Sequence, residues 1–499
     1  MLRRIQIVLL LNLALAINAT ANLEPSVDIK IDRYYYPLDI AKMDIQLTKS
    51  INAGAIFEIF VRLGTDVIAR NDIPVLKDQQ QYNTTFDISN WPTGRFIVSA
   101  QLKDKTGKDI ADIRRVIYRQ QLKPSGMPAR HLKPTISPDG AFILDGKLFF
   151  PFFVTLLAQS PPTGQTLKCF NVKPAENDTL CAMAVDNPLN RPMVELPGDM
   201  NRNGDNVFII LPEEKIMDDK VREFIENYKS TPSILCWLIK YESRISLFRG
   251  EKPDNLVALD NAAEYNRLNQ VIKKCDRNHL TSIHINYGEV EHLREYENVA
   301  DVIELADGRL PGSSYAEQLV PNIADFVKNI RELLGPSKPF IFWIGSSIPD
   351  ARYRTAEEIR CATYLAIMHG ASGIVYHMGH GGIAPSYTRH WSVYSGLAAE
   401  VEQLYPIIKS TPHKPNFTVK MPDSIDTMIR FPYIIAVNTT NVNINATFTV
   451  KDCNVLELPC ENRKIYGKKS VFSDMFTAFE PHMYFINNGA SVNETVRSK

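Results

Sequence analysis

A single glutamate, Glu242, closes the run Thr231-Pro-Ser-Ile-Leu-Cys-Trp-Leu-Ile-Lys-Tyr-Glu-Ser-Arg244. The apolar stretch before it reads as a buried strand, and the C-terminal end of such a strand is where a ring of parallel strands assembles its chemistry. A carboxyl placed there, with its pKa raised by a partly apolar pocket, can give a proton to a leaving oxygen. A second carboxyl about 5 Å away would act as nucleophile, and one farther off would activate water, the two ways in which paired acids open a sugar acetal. Candidates for that second acid are Asp307 and Glu304 in Asp301-Val-Ile-Glu-Leu-Ala-Asp-Gly308 and, less well specified, Glu289 in Asn286-Tyr-Gly-Glu289. Asp307 ranks first, because Glu304 can be directed into the barrel wall. Aromatic faces that could stack on sugar rings are Trp343 and Trp391, with Tyr241, Tyr287, Tyr376 and His377 as further ligand-facing candidates. No spacing resembles a zinc site, no cofactor is implied, and no Gly-X-Ser-X-Gly elbow supports a serine hydrolase.

The elements that must position these groups follow from hydrophobic rhythm. From Gly146 onward, apolar runs alternate with amphipathic stretches, the pattern of a parallel sheet with crossover helices. Strands are predicted at Leu148–Leu156, Val207–Leu211, Ile234–Tyr241, Thr281–Tyr287, Val302–Leu305, Pro339–Ile344 and Gly373–Met378. Helices are predicted at Glu214–Lys229, Asn261–Cys275, Tyr315–Leu334, Thr355–His369 and Trp391–Ile408. Together they describe an α/β chain whose centre, residues 141–410, is a TIM (β/α)8-like barrel. Its first repeats look incomplete: residues 158–206 are rich in Pro, Asn and Gly where a first crossover helix belongs.

Period-two alternation before and after the barrel predicts two flanking β-sandwiches. The first, residues 22–120, contains Met43–Leu47, Ile56–Val61 and Phe96–Leu102, divided by turns at Trp91-Pro-Thr-Gly94 and Asp104-Lys-Thr-Gly107, and reads as immunoglobulin-like. A Pro-rich linker, residues 121–140, follows. The second, residues 411–499, contains Ile425–Arg430, Tyr433–Asn438, Asn445–Val450 and Met483–Asn487.

The run ending in Glu242 resembles the fourth strand of clan-A glycoside hydrolases, including the family that holds many β-galactosidases, where Pro-X-Ile-X-X-Trp leads to Asn-Glu or Asp-Glu. This chain has Tyr241 before the glutamate and Ser243 after it. The resemblance implies Glu242 as general acid/base and a nucleophilic glutamate at the end of the seventh strand. Here that strand, Lys338-Pro-Phe-Ile-Phe-Trp-Ile-Gly-Ser-Ser347, offers no acid before Asp350. The stretch Arg354-Thr-Ala-Glu-Glu-Ile-Arg-Cys-Ala-Thr-Tyr-Leu-Ala-Ile-Met-His-Gly-Ala-Ser-Gly-Ile-Val-Tyr376 is similar to the last helix and strand of barrel proteins related to those hydrolases, and it implies that Tyr376, His377 and His380 emerge at the barrel mouth. The functional expectation is a glycoside hydrolase-like protein acting on O-glycosidic bonds. The alternative is a non-catalytic extracellular barrel that binds carbohydrate or protein, which the missing seventh-strand glutamate and the eroded early barrel favour.

Composition sets the surroundings. The 499 residues suffice for several cores, with 44% hydrophobic and 22% charged residues. The 56 basic and 56 acidic residues leave no net charge to capture nucleic acid. Arg3 and Arg4, the apolar run Ile5–Ile17 and the small residues of Asn18-Ala-Thr-Ala-Asn22 read as a secretory leader spanning residues 1–21, too short to span a bilayer as an uncleaved anchor. A secreted, extracellular chain with no membrane segment after cleavage is therefore expected. In a eukaryotic secretory lumen, the sequons at Asn83, Asn177, Asn416, Asn438, Asn445 and Asn493 would accept N-glycans. Among seven cysteines, Cys169 with Cys181 and Cys453 with Cys460 stand close enough in sequence for local disulfides, while Cys236, Cys275 and Cys361 read as buried thiols.

Overall fold

The computed structural model describes residues 27–31, 35–36, 40–47, 54–119, 134–144, 146–156, 181–184, 207–210, 221–222, 225–226, 229, 234–239, 262–285, 293–306, 319–345, 347–348, 352–377, 388–410 and 419–486. The leader, Tyr241, Glu242, Tyr287, Glu289, Asp307, His380, Cys169, Asn177, Asn416 and Asn493 lie outside them. The chain divides into two units, Met1–Gln121 and Leu122–Lys499.

In the first unit, two sheets enclose one core. Strands Val27–Ile31, Ile40–Leu47 and Gln81–Asp87 form one sheet; Tyr35–Tyr36, Asp109–Arg119, Gly94–Lys103, Ile56–Leu63 and Asp66–Pro74 form the other in that order. Met43, Ile45, Tyr82 and Phe86 from the first meet Phe57, Ile59, Phe96 and Val98 from the second, as the alternation required. The Asp104 turn is held by its own side chain, whose Oδ1 accepts from the Thr106 amide at 2.8 Å and the Lys108 amide at 3.0 Å.

The second unit is built on a ring of eight strands: β1 (Phe152–Leu156), β2 (Cys181–Ala184), β3 (Val207–Ile210), β4 (Ile234–Leu238), β5 (Leu280–Ile285), β6 (Val302–Ala306), β7 (Phe340–Gly345) and β8 (Gly373–His377), with β8 pairing back onto β1. From β3 through β8 to β1 every neighbouring pair is parallel. β2 runs antiparallel to both of its neighbours. The regular (β/α)8 order expected from the sequence is thus broken at its second position.

Helices α1 (Ala262–Cys275), α2 (Leu319–Leu334), α3 (Ala356–Met368) and α4 (Thr388–Lys409) follow β4, β6, β7 and β8. The expected opening strand Leu148–Leu156 is divided at Phe150-Pro151. Its first half pairs instead in a small sheet with Phe142–Leu144 and Thr135–Ile136, because Pro151 cannot donate to a ladder. The end of the expected linker is therefore structured through Thr135–Ile136, and the adjoining Phe142 and Leu144 pack with Cys236, Leu280, Val302 and Ile341, closing the ring at the N-terminal ends of its strands.

The C-terminal sheets, Val419–Lys420 with Ile444–Val450 and Val471–Phe476, and Ile425–Arg430 with Tyr433–Asn438, Pro481–Ile486, Val455–Leu458 and Arg463–Tyr466, share a core that includes Ile434, Phe448, Phe472 and Tyr484. Helix α3 lies between this sandwich and the ring and is buried along almost its whole length, which explains its apolar character on every side. Thr355 and Glu358 form its capping box. Beyond its end, Gly370 at φ +110° occupies a conformation that suits only glycine, with Arg331 where a Cβ would sit. Arg360 donates to the Pro481 carbonyl at 3.2 Å, and His369 Nε2 meets Asp426 Oδ2 at 2.7 Å across the seam.

Candidate functional site

Each ring strand alternates between the interior and the helices. On β4, Cys236 faces the interior cluster while Trp237 reaches outward, its indole N–H donating to Asp276 Oδ2 at 2.9 Å. On β7, Ile341 and Trp343 face inward, whereas Phe340 carries the Arg331 guanidinium over its ring and Phe342 meets Phe326 of α2. On β8, Val375 is interior, so Tyr376 must be exterior.

The interior holds one of the two acids expected near the end of the sixth strand. Glu304, in the middle of β6, is wholly enclosed, and its Oε2 accepts a hydrogen bond from Trp343 Nε1 at 2.8 Å. His284 on β5 is the register partner of Glu304, and its ring lies 4.5 Å from that of Trp343. Ser282, two residues earlier on β5, is close enough to favour the ionised carboxylate, though no hydrogen bond of ordinary geometry reaches Oε1 among the described residues. Burial dominates: it lifts the Glu304 pKa to about 7, against the pull of Ser282 and Trp343. Cys236 is raised by the same burial and further by the charge of Glu304. Chemically, the cluster is a carboxyl that exchanges its proton near neutrality, oriented by an indole donor.

The other expected site residues fall into three groups. Glu242, Asp307, Tyr241 and Tyr287 lie outside the described residues, and so do the side chains of His377 at the end of β8 and Trp391 in α4. Trp343 is enclosed in the ring, an orienting donor to Glu304 instead of an exposed stacking surface. Tyr376 does not reach the mouth: its hydroxyl contacts Thr363 of α3 and its ring stacks on Tyr394 of α4 with centroids 4.4 Å apart. The alternation accounts for this, since a β8 that turns Val375 inward sends its neighbours to the helices. Ser282 and His284 were missed, although polar residues within Leu280-Thr-Ser-Ile-His-Ile285, a strand buried at every position, carried the signal.

The expected Cys453–Cys460 bridge is absent, and both cysteines are free. The extended strand Val455–Leu458 runs between them, at roughly 3.3 Å per residue, whereas a disulfide requires Cα atoms within about 7 Å. Cys236 and Cys361 are buried free thiols, as expected, and Cys275 is half-buried. The Cys169–Cys181 pairing involves a residue outside the described set. Among the described residues, no group of His, Cys, Asp and Glu could hold a metal ion, and no helix is long and apolar enough to cross a membrane.

No family model and no curated protein matches the chain. Among solved structures, it is similar to β-glucuronidase 2 of Bacteroides uniformis bound covalently to cyclophellitol-6-carboxylate aziridine, at 11% identity and a TM-score of 0.35, over 92% of this chain and 58% of that one. A β-glucuronidase of Parabacteroides merdae aligns at 9% identity and a TM-score of 0.30, over 91% and 61%. AmyP in complex with maltotriose aligns at 9% identity and a TM-score of 0.31, over 54% and 78%. The chain thus spans 58% of the length of the first of these enzymes. Superpositions this loose assign no chemistry to it.

Proposed function

We propose that this chain is an exported glycoside hydrolase-like protein acting on O-glycosidic bonds of a carbohydrate, with Glu242 as general acid/base. One observation carries the reading. The segment that resembles the fourth strand of clan-A hydrolases and the one the resemblance reads as the seventh belong to β4 and β7, which occupy those same places in the ring. Their ordinal agreement is independent of the motif, because it depends on strand pairing. In sequence Glu242 comes four residues after Leu238, the last residue of β4, and it shares the even numbering of the inward-facing Cys236. Asp307 follows the last residue of β6 and is the better second acid, since Glu304 is enclosed. Tyr241, Tyr287, His377 and Trp391 supply the carbohydrate-facing surface.

The test is release of the aglycone from a panel of aryl glycosides by the purified secreted protein. Glu242→Gln is expected to slow turnover by about 10²- to 10⁴-fold, the usual worth of a positioned acid. Equal turnover by the variant would remove Glu242 from the mechanism.

A non-catalytic carbohydrate- or protein-binding barrel is the second reading. It is favoured by Phe340–Gly345, which carries no acid where the family resemblance puts a nucleophile. Saturable binding on a glycan array, with no release from any aryl glycoside, would select it.

A further inference from the structure

The sequons are not equivalent once folded. Asn83 and Thr85 are both exposed on the strand Gln81–Asp87, and Asn445 and Thr447 are both exposed on Ile444–Val450. Among the described residues Asn83 enters no side-chain hydrogen bond, and Asn445 only accepts one, through Oδ1 from Ser473 Oγ at 3.1 Å, so no described group engages either amide nitrogen. Asn438 is the opposite case, with no exposed surface at all. Its Nδ2 donates to the carbonyls of Val442 and Thr477, each at 2.8 Å, which engages both amide hydrogens. Its Oδ1 accepts from the Thr440 amide at 2.9 Å and the Thr440 hydroxyl at 2.8 Å, so the sequon's own threonine is tied into the same turn. Its carbonyl faces α3, where Cys361 Sγ lies at 3.6 Å.

We infer that Asn83 and Asn445 are N-glycan attachment sites, and that at Asn438 a glycan and the folded seam between the C-terminal sandwich and α3 exclude each other. The inference rests on export but not on hydrolysis. In the transfer, Nδ2 attacks the anomeric carbon of a lipid-diphosphate-linked oligosaccharide. An N–C bond forms, the C–O bond to the diphosphate breaks with its electron pair leaving on the lipid diphosphate, and Nδ2 gives up one proton. At Asn438 that proton is one of the two holding Val442 and Thr477, and the first sugar ring would need the space these residues and α3 fill. Only chains left unmodified at Asn438 can close the seam.

The test uses the full chain in a glycosylating eukaryotic host, once with its own leader and once behind a leader known to direct export. Soluble secreted protein is freed of N-glycans by an amidase in ¹⁸O water, which turns each formerly glycosylated asparagine into a heavy aspartate, and peptides are read by mass spectrometry. Heavy label at Asn83 and Asn445 with none at Asn438 is expected. Label at Asn438 in the soluble protein, or its absence at Asn83 and Asn445 behind the donor leader, overturns the inference. Label that appears only behind the donor leader upholds the site assignment and sinks export by the native leader instead.

Discussion

Two buried polar clusters in the second unit solve the same physical problem in opposite ways. In the C-terminal sandwich, Arg463 grips Asp474 with two hydrogen bonds of 2.8 Å and reaches Glu461 Oε2 at 2.7 Å. Tyr484 adds a bond to Asp474 at 2.9 Å, His482 meets the other oxygen of Glu461, and Glu480 accepts from the Thr477 amide at 2.7 Å. Burial lowers the Arg463 pKa, and the two carboxylates more than offset it, so the guanidinium ends above its ordinary value. In the ring, Glu304 has an indole donor and, among the described residues, no Lys or Arg paired with it. A carboxylate matched by a forked cation is fixed in its charge and holds strands together; one matched only by neutral donors stays titratable near neutrality and is where chemistry can reside.

The sharpest break of this contrast is Arg463→Ala. It leaves two buried carboxylates without their cation and is expected to cost about 3–5 kcal/mol in chemical denaturation. A loss under 1 kcal/mol would mean that the cluster is not a structural pin.

Glu304→Gln addresses the other half. The folded state holds the Glu304 proton up to about pH 7, while the unfolded chain releases it near 4.5. The folded form binds more protons in that window, so stability falls as pH rises through it, by about 3 kcal/mol, and stays low above it. Glutamine keeps an acceptor for Trp343 and should flatten the curve. Urea melts across that pH range decide the matter, and an unchanged slope in the variant would exclude Glu304 as its source.

The mildest change is Tyr376→Phe. Loss of the hydroxyl contact with Thr363 should cost about 1 kcal/mol, with carbohydrate affinity untouched. Weaker carbohydrate binding at unchanged stability would put Tyr376 back at the mouth.

How much could be read from the chain alone depends on what local pattern encodes. Strands β4 through β8 were legible because apolar runs such as Phe340-Ile-Phe-Trp-Ile344 are bounded by Pro and Gly, and α3 because the helical stretch Thr355–His369 falls between two such runs. Orientation within those strands was not, since a strand buried on both faces shows no period of two. Tyr376 was assigned to the wrong side for that reason, and Ser282 and His284 were passed over. The direction of β2 was equally hidden: Cys181-Ala-Met-Ala184 is short and built of small or weakly β-forming residues, and no local rhythm specifies parallel against antiparallel. The burial of Asn438 depends on α3, far away in sequence, so its sequon reads like any other.

The reversed β2 also decides where the chain between β1 and β2 must return. In a repeating strand–helix unit, the connection leaves one rim and descends to the other. Leu156 at the end of β1 instead pairs with Cys181 at the start of β2, so the two anchors of this connection lie side by side. Lengthening such a closed tether carries only a slowly growing entropic cost. A connection between anchors so placed can therefore change in length at little cost to the strands that hold it.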